Sequence, residues 1–427
     1  MDKFRIVGGI PLSGELPVSG SKNSALPALA ACLLTDEPVT LDRIPRVKDI
    51  ATMESLLEYT GAQVTQQNGS TKVHARTLHR PEAPYDVVKT MRASSLVLGP
   101  LVARTGRARV SMPGGCAIGA RPINMHVSAL ENLGATIEQA YGYVEAQAPD
   151  GLRGGTVCFD RITVTGTEDV LMAAVLARGE TVINNAAREP EVQDLANLLI
   201  AMGAKIEGAG TSTIRVRGVE KLHGAEHTII PDRIEAGTFM LAGAISKGEV
   251  LVTGCNPEHV AALTAKMQQA GADVDQPQSD VLRVRASHRP KALDMKTEEY
   301  PGFATDLQAQ YMSWMATAHG ISFITETIFE NRYMHVQELV RMGANIRVEG
   351  RQAIVAGEDI LMGAQVIASD LRASASLVLA ALVAKGQTMI DRVYHIDRGY
   401  ERIEEKLAAV GADIQRVQKT MRAGADV

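Results

Sequence analysis

Residues 197–206 read NLLIAMGAKI, and variants of that phrase occur six times along the chain. The others are SLLEYTGAQV at 55–64, ALENLGATI at 129–137, AKMQQAGADV at 265–274, ELVRMGANI at 338–346 and KLAAVGADI at 406–414. Each joins an amphipathic run to Gly-Ala, and then to a short stretch where apolar and polar residues alternate. A glycine closing a helical pattern is where a helix stops in a left-handed turn, and alternation marks a strand. The glycines are Gly61, Gly134, Gly203, Gly271, Gly343 and Gly411, spaced 68 to 73 residues apart. The chain is therefore read as six repeats of ~70 residues.

Each repeat also holds an earlier helical run rich in Ala and Leu, followed by a β-rich phrase. Examples are SALPALAACLL before EPVTL, SSLVLGPLVA before ARVSM, and TFMLAGAISKG before EVLVTG. These runs are apolar nearly all round, which predicts buried helices. A repeat is thus helix, strand, helix, strand, with further strands that the pattern does not place. Six such units suit two domains of three repeats, given that domains hold ~100–200 residues. The predicted division is 22–230 for the first domain and 1–21 plus 231–427 for the second, with the first 21 residues lending a strand across. An open six-repeat solenoid is the alternative arrangement.

Polar residues gather where the buried helices begin. Lys22 and Asn23 stand in SGSKNSALPALAA, Arg92 in KTMRASSLVLGPLVA, Asp306 in YPGFATDLQAQYMSWMA, and Asp370 and Arg372 in SDLRASASLVLAALVA. Repeats two and six nearly share a phrase, RASSLVLGPLVA and RASASLVLAALVA, and core packing does not explain the arginine common to both. Helix N-termini present free N–H groups to anions, and a cation placed there is slightly unfavourable unless a ligand uses it. Arg121, in PGGCAIGARP, and Arg398, in RVYHIDRGYERIEEK, extend the set; the guanidinium fork suits carboxylate and phosphate oxygens. An anionic substrate, together with a carboxylate that takes a proton from a hydroxyl, fits these residues.

Composition narrows the class further. Hydrophobic residues make up 45% and charged residues 22%, as in a globular protein, and the net charge of −5 argues against a nucleic-acid-coating surface. Aromatics at 4% are too sparse for base stacking. MDKFRIVGGIPLSGEL has no apolar run of signal-peptide type, and no stretch reaches membrane-span length. The four cysteines follow no disulfide or metal spacing, so a cytoplasmic protein with reduced thiols is expected. Cys32 and Cys158 lie in apolar contexts, and Cys255 lies in a turn phrase open to solvent. Cys116 alone sits in a glycine-rich loop near a cation, where a thiol loses its proton more easily.

Across essentially its whole length the chain resembles the UDP-N-acetylglucosamine 1-carboxyvinyltransferases, enolpyruvyl transferases that open bacterial peptidoglycan synthesis. The matching phrases are SGSKNSALP, APYDVVKTMRAS, PGGCAIGARP, NAAREPE, IIPDRIEAGTF, FATDLQAQ, FITETIFENRYMH, DLRASASLVLA and RVYHIDRGYERIEEKL. The resemblance implies two inside-out α/β domains of the enolpyruvyl transferase type, each of three repeats, with the active site in the cleft between them. It implies transfer of the enolpyruvyl group of phosphoenolpyruvate to the 3′-hydroxyl of UDP-N-acetylglucosamine, with release of phosphate. It implies no cofactor and no metal, and small-molecule partners only, with neither nucleic acid nor membrane.

By the same resemblance, Cys116 lies on a lid, protonates the methylene carbon, can carry a covalent phosphoenolpyruvate adduct and is the target of fosfomycin. Asp306 takes the hydroxyl proton. Lys22, Asn23, Arg121 and Arg398 surround phosphoenolpyruvate, and Asn23, Arg92, Arg121 and Asp306 also serve the sugar nucleotide. The segments Arg121, Pro122, Ile123, Asn124, Met125, His126 and Arg161, Ile162, Thr163, Val164 hold that nucleotide, with Ile328 touching it through backbone. Asp370 and Arg372 support the charge cluster. Three positions depart from the family's usual phrases: Asn124 replaces an aspartate, RITVTGTED around Thr165 replaces a phrase closer to KVSVGAT, and Ala304 replaces a proline. The alternatives are shikimate-3-phosphate enolpyruvyl transfer, against which Cys116 and the nucleotide segments speak, and a non-catalytic sugar-nucleotide-binding paralogue.

Overall fold

Repeat two shows how one unit is built. A turn of 3-10 helix, Arg92–Val97, runs into the helix Leu98–Thr105, whose Leu98, Leu101 and Val102 are buried. The strand Arg107–Ser111 follows, then the helix Asn124–Asn132, then a hairpin of Thr136–Ala140 and Tyr143–Gln147. The computed structural model describes residues 2–67, 69–112 and 123–418, so Cys116, Arg121 and Pro122 lie outside the described residues. The same order recurs in the other repeats, except that repeat six ends in the single strand Asp413–Val417. All six repeat glycines have the left-handed backbone expected of them, with φ from +89° at Gly343 to +112° at Gly61. At Gly61 a side chain is excluded twice over, because an added Cβ would stand 2.8 Å from the Thr77 carbonyl.

The inner helices are buried all round, as their uniform apolarity requires. In Arg233–Ile245 every residue from Ile234 onward is buried, and in Ala373–Val383 all but Val383 are. Among the described residues the strands form six four-stranded sheets of one design. The strand after each inner helix pairs on one side with a parallel edge strand and on the other with an antiparallel pair of strands, which is a hairpin in every repeat but the sixth. In repeat two, Arg107–Ser111 pairs parallel with Glu82–Ala83 and antiparallel with Tyr143–Gln147.

Edge strands explain why the repeats do not continue as a solenoid. Those of repeats two, three, five and six come from the tail of the preceding repeat, and repeat one takes its own, Glu226–Thr228, from the tail of repeat three. Three repeats thus close into a ring. In the second ring the start of the chain does this work with two strands, one more than expected. Lys3–Val7 pairs antiparallel with both Gln387–Asp391 and Asp413–Val417 and completes repeat six. Ser13–Pro17 pairs parallel with Glu249–Thr253 and is the edge of repeat four.

The described chain separates into two units, residues 19–230 and residues 2–18 with 231–418. Each unit has its own hydrophobic core, and no core residue is shared. No helix among the described residues is long and apolar enough to cross a membrane. Two cysteines differ from their expected settings. Cys158 is exposed, because the alternation of Thr156–Cys158 turns Val157 inward and Cys158 outward. Cys255 is buried, its Sγ 3.5 Å from the Val252 carbonyl oxygen. Cys32 is buried as expected, and burial pushes its thiol pKa up.

Candidate functional site

In the unit formed by residues 2–18 and 231–418, three inner helices begin at three carboxylates, and one arginine joins two of them. Asp232 caps Arg233–Ile245: its Oδ1 accepts from the Ile234 and Glu235 N–H groups at 2.8 and 3.0 Å. Asp370 plays the matching part for Ala373–Val383, accepting from the Arg372 and Ala373 N–H groups at 2.9 and 2.8 Å. Asp306 lies in the 3-10 turn Thr305–Leu307 that leads into Gln308–Met315. Acids at helix starts are favoured by the free N–H groups and the dipole.

Arg372 is 1% exposed. Its Nη2 donates to Asp232 Oδ2 at 3.3 Å, its Nη1 donates to the Gly399 carbonyl at 2.8 Å, and its Nε lies 3.6 Å from Asp306 Oδ2. The guanidinium also covers the Tyr400 ring, 5.1 Å from its centroid. Burial alone would lower the Arg372 pKa, but Asp232, Tyr400 and Asp306 outweigh it and carry it up. The Tyr400 hydroxyl, pushed up to about 12 chiefly by burial, accepts from Gln310 Nε2 at 2.9 Å and lies 2.9 Å from Thr238 Oγ1.

A second buried arginine completes the cluster. Arg332 Nη2 donates to Asp306 Oδ1 at 2.6 Å, and its Nη1 donates to Thr305 Oγ1 at 2.8 Å. Burial works against the Arg332 charge, and the Asp306, Asp370 and Glu326 carboxylates reverse the balance, so its net shift is upward. Asp306 is thereby held between two guanidinium groups while its side chain stays 24% exposed. Arg398 ends the 3-10 turn Val393–Arg398 and is half-buried, and Ile328 is half-buried just past the strand Ile321–Thr325.

In the unit of residues 19–230, Lys22 opens the first inner helix behind the cap Ser21, and Asn23 follows it, half-buried. The Lys22 ammonium is buried and sits 3.3 Å from Asp49 Oδ2. Arg92, half-buried, begins the corresponding turn of repeat two. Ile123 and Met125 are half-buried and Asn124 is exposed at the start of Asn124–Asn132. His126 points inward: its Nδ1 is 3.1 Å from Asp169 Oδ2 and its Nε2 is 3.2 Å from Thr165 Oγ1. Arg161 is exposed, Ile162 and Val164 are half-buried, and Thr163 caps the third inner helix by accepting from the Gly166 N–H. Nearby, burial and then the Glu191, Glu189 and Asp169 charges push the Glu168 carboxyl well above the usual range.

Sequence reasoning assigned no role to Arg332, Asp232, Glu326 or Asp49. The first three do sit within phrases that carried the family resemblance, FITETIFENRYMH and IIPDRIEAGTF. Two of the departures have a structural setting. Ala304 holds φ at −63°, the value that proline imposes. Thr165 supplies the hydroxyl that meets His126.

A family model described as EPSP synthase (3-phosphoshikimate 1-carboxyvinyltransferase) matches residues 6–407. The UDP-N-acetylglucosamine 1-carboxyvinyltransferase of Solibacter usitatus is 69% identical over 418 residues, covering 98% of this chain and 100% of that one. Proteins of the same description from Koribacter versatilis and Trichlorobacter lovleyi are 62% and 55% identical, each over 98% of this chain and over 97% and 100% of their own. Among solved structures, the enolpyruvyl transferase NikO from Streptomyces tendae aligns with a TM-score of 0.87 at 27% identity, over 97% of this chain and 98% of that one. EPSP synthase from Acinetobacter baumannii shares the fold at 17% identity, with a TM-score of 0.75 over 98% of this chain and 100% of that one. With full-length relatives at this identity and two rings of three repeats, the chain belongs to the enolpyruvyl transferase family, in its UDP-N-acetylglucosamine 1-carboxyvinyltransferase branch.

Proposed function

We propose that the protein transfers the enolpyruvyl group of phosphoenolpyruvate to the 3′-hydroxyl of UDP-N-acetylglucosamine and releases phosphate, the first committed step of peptidoglycan synthesis. The observation that carries this reading is Asp306, oriented between Arg332 and Arg372 at a helix start while its side chain stays 24% exposed. A carboxylate in this setting can accept the hydroxyl proton as the new C–O bond forms. Cys116 gives a proton to C3 of phosphoenolpyruvate, the hydroxyl oxygen bonds to C2, and its proton goes to Asp306. Loss of phosphate, with a proton leaving C3, then restores the double bond.

Positive charge develops at C2 as C3 is protonated, while the carboxylate and phosphate remain anionic beside it. Lys22, Arg121 and Arg398 are assigned to hold those anions, since fixed cations need no reorganisation during the reaction. Asn23, Arg92, the segments 121–126 and 161–164, and the Ile328 backbone are assigned to the sugar nucleotide. No cofactor is called for; Cys116 can also carry phosphoenolpyruvate as a covalent adduct. The cytoplasm, where phosphoenolpyruvate is made and thiols stay reduced, is the expected location.

Phosphate release from phosphoenolpyruvate, followed with either acceptor and with mass spectrometry of the product, tests the reading. Release with UDP-N-acetylglucosamine and an enolpyruvyl product is expected. Release with shikimate 3-phosphate alone would replace this substrate by the rival acceptor, and release with neither would favour a non-catalytic paralogue.

A further inference from the structure

Glu326 stands directly after the strand Ile321–Thr325, fully buried, and its carboxylate gathers four donors. Oε1 accepts from the Ile328 N–H at 2.8 Å, the Phe329 N–H at 3.1 Å and Thr297 Oγ1 at 3.0 Å. Oε2 accepts from Thr305 Oγ1 at 2.8 Å. One side of this carboxylate therefore shapes the turn that carries Ile328, and the other reaches the residue beside Asp306.

The polarity of the Thr305 arm is set by its ends. A carboxylate only accepts and a guanidinium only donates. The Thr305 hydroxyl proton must then point to Glu326, which leaves its lone pairs for Arg332 Nη1 at 2.8 Å. The same planar guanidinium donates through Nη2 to Asp306 Oδ1 at 2.6 Å. Because the fork is rigid, fixing one nitrogen fixes the direction of the other. A continuous path runs from the Ile328 backbone through Glu326, Thr305 and Arg332 to Asp306.

We propose that Glu326 is a positioning residue that ties the nucleotide-contacting turn to the base that deprotonates the sugar hydroxyl. The inference rests on the reading above, in which Ile328 contacts the nucleotide and Asp306 is that base. It gives the two sides of one carboxylate separate kinetic signatures. In Glu326→Gln the amide oxygen can keep the two backbone N–H groups, but the NH2 then faces Thr305. The Thr305 hydroxyl must turn round, its proton now opposing Arg332, and Asp306 loses its aim.

The test is steady-state kinetics of phosphate release on the full chain, with thermal unfolding of each variant as a check. Glu326→Gln and Thr305→Val are each expected to lower kcat by about tenfold or more, the scale on which a small misplacement acts, with KM for UDP-N-acetylglucosamine within roughly threefold. Glu326→Ala, which also releases the turn, is expected to raise that KM by about tenfold while KM for phosphoenolpyruvate moves less than roughly twofold. Wild-type kcat in both Glu326→Gln and Thr305→Val would overturn the inference, as would a Glu326→Ala effect on both KM values equally. Asp306→Asn separates the two levels. If it keeps wild-type turnover, the assignment of the base fails; if it is inactive while Thr305→Val and Glu326→Gln are normal, only the tether fails.

Discussion

At the scale of single residues, His335 is the clearest case of a side chain whose state the fold dictates. It is 1% exposed, and burial first, then the Arg332 charge, hold its pKa down to about 4 against the opposing pull of Asp370. In the unfolded chain the same imidazole titrates near ~6.5. Between those values the unfolded chain binds the proton and the folded one does not, so stability falls as pH drops from about 6.5 towards 4. The full contribution is ~3 kcal/mol. His335→Phe removes the titration, and the difference in urea midpoint between pH 7.5 and 4.5 should shrink relative to wild type; an unchanged difference would contradict the linkage. Legibility at this scale followed position. Asp306, Asp370 and Arg372 stand where repeat patterning marks a helix start, and all three help cap or join those starts. Arg332 and Glu326 lie in the irregular stretch after a strand, where no periodicity marks a side chain's role, and only tertiary contact gives them partners.

Among elements, the inner helices approach one another as closely as their small residues allow. Gly99, in Leu98–Thr105, donates its N–H to Asp169 Oδ1 at 2.7 Å, and a Cβ there would stand 2.3 Å from the Asp169 carbonyl oxygen. Backbone cannot give way as a side-chain tip can, so Gly99→Ala should cost ~1–3 kcal/mol through overpacking. Chemical denaturation measures this directly, and a neutral result would mean that the two helices have room to part. Asp169 also meets His126, so the same variant disturbs the helix that begins at Asn124. The six helix stops were legible because each needs a glycine, and each has a positive φ. Edge strands were not. Glu82–Ala83 and Met295–Lys296 are two residues long, too short for any alternation to show.

For the whole molecule, the decisive feature is how each ring of three repeats is closed. Phe4, fully buried in the core of its unit, sits on the strand that pairs with both Gln387–Asp391 and Asp413–Val417. Phe4→Ala should cost ~3–5 kcal/mol through the cavity it leaves. Since the two cores share no residue, hydrogen exchange should quicken in residues 231–418 and stay near wild type in 19–230. Equal acceleration throughout would mean that the units unfold as one.

The amino-acid sequence alone determined the sixfold repeat, the buried inner helices and their glycine stops, because these depend on local periodicity and backbone preference. It also marked, through the family resemblance, the residues proposed for chemistry. Tertiary structure decided which strand closes each ring, since a short edge strand is specified by the partner it meets rather than by its own pattern. It decided too that Arg372 and Arg332 are spent on Asp232, Asp306 and Thr305 inside the unit. A buried charge settles on whichever opposite groups the packing brings within reach, and these come from residues 26 to 140 positions apart in the chain.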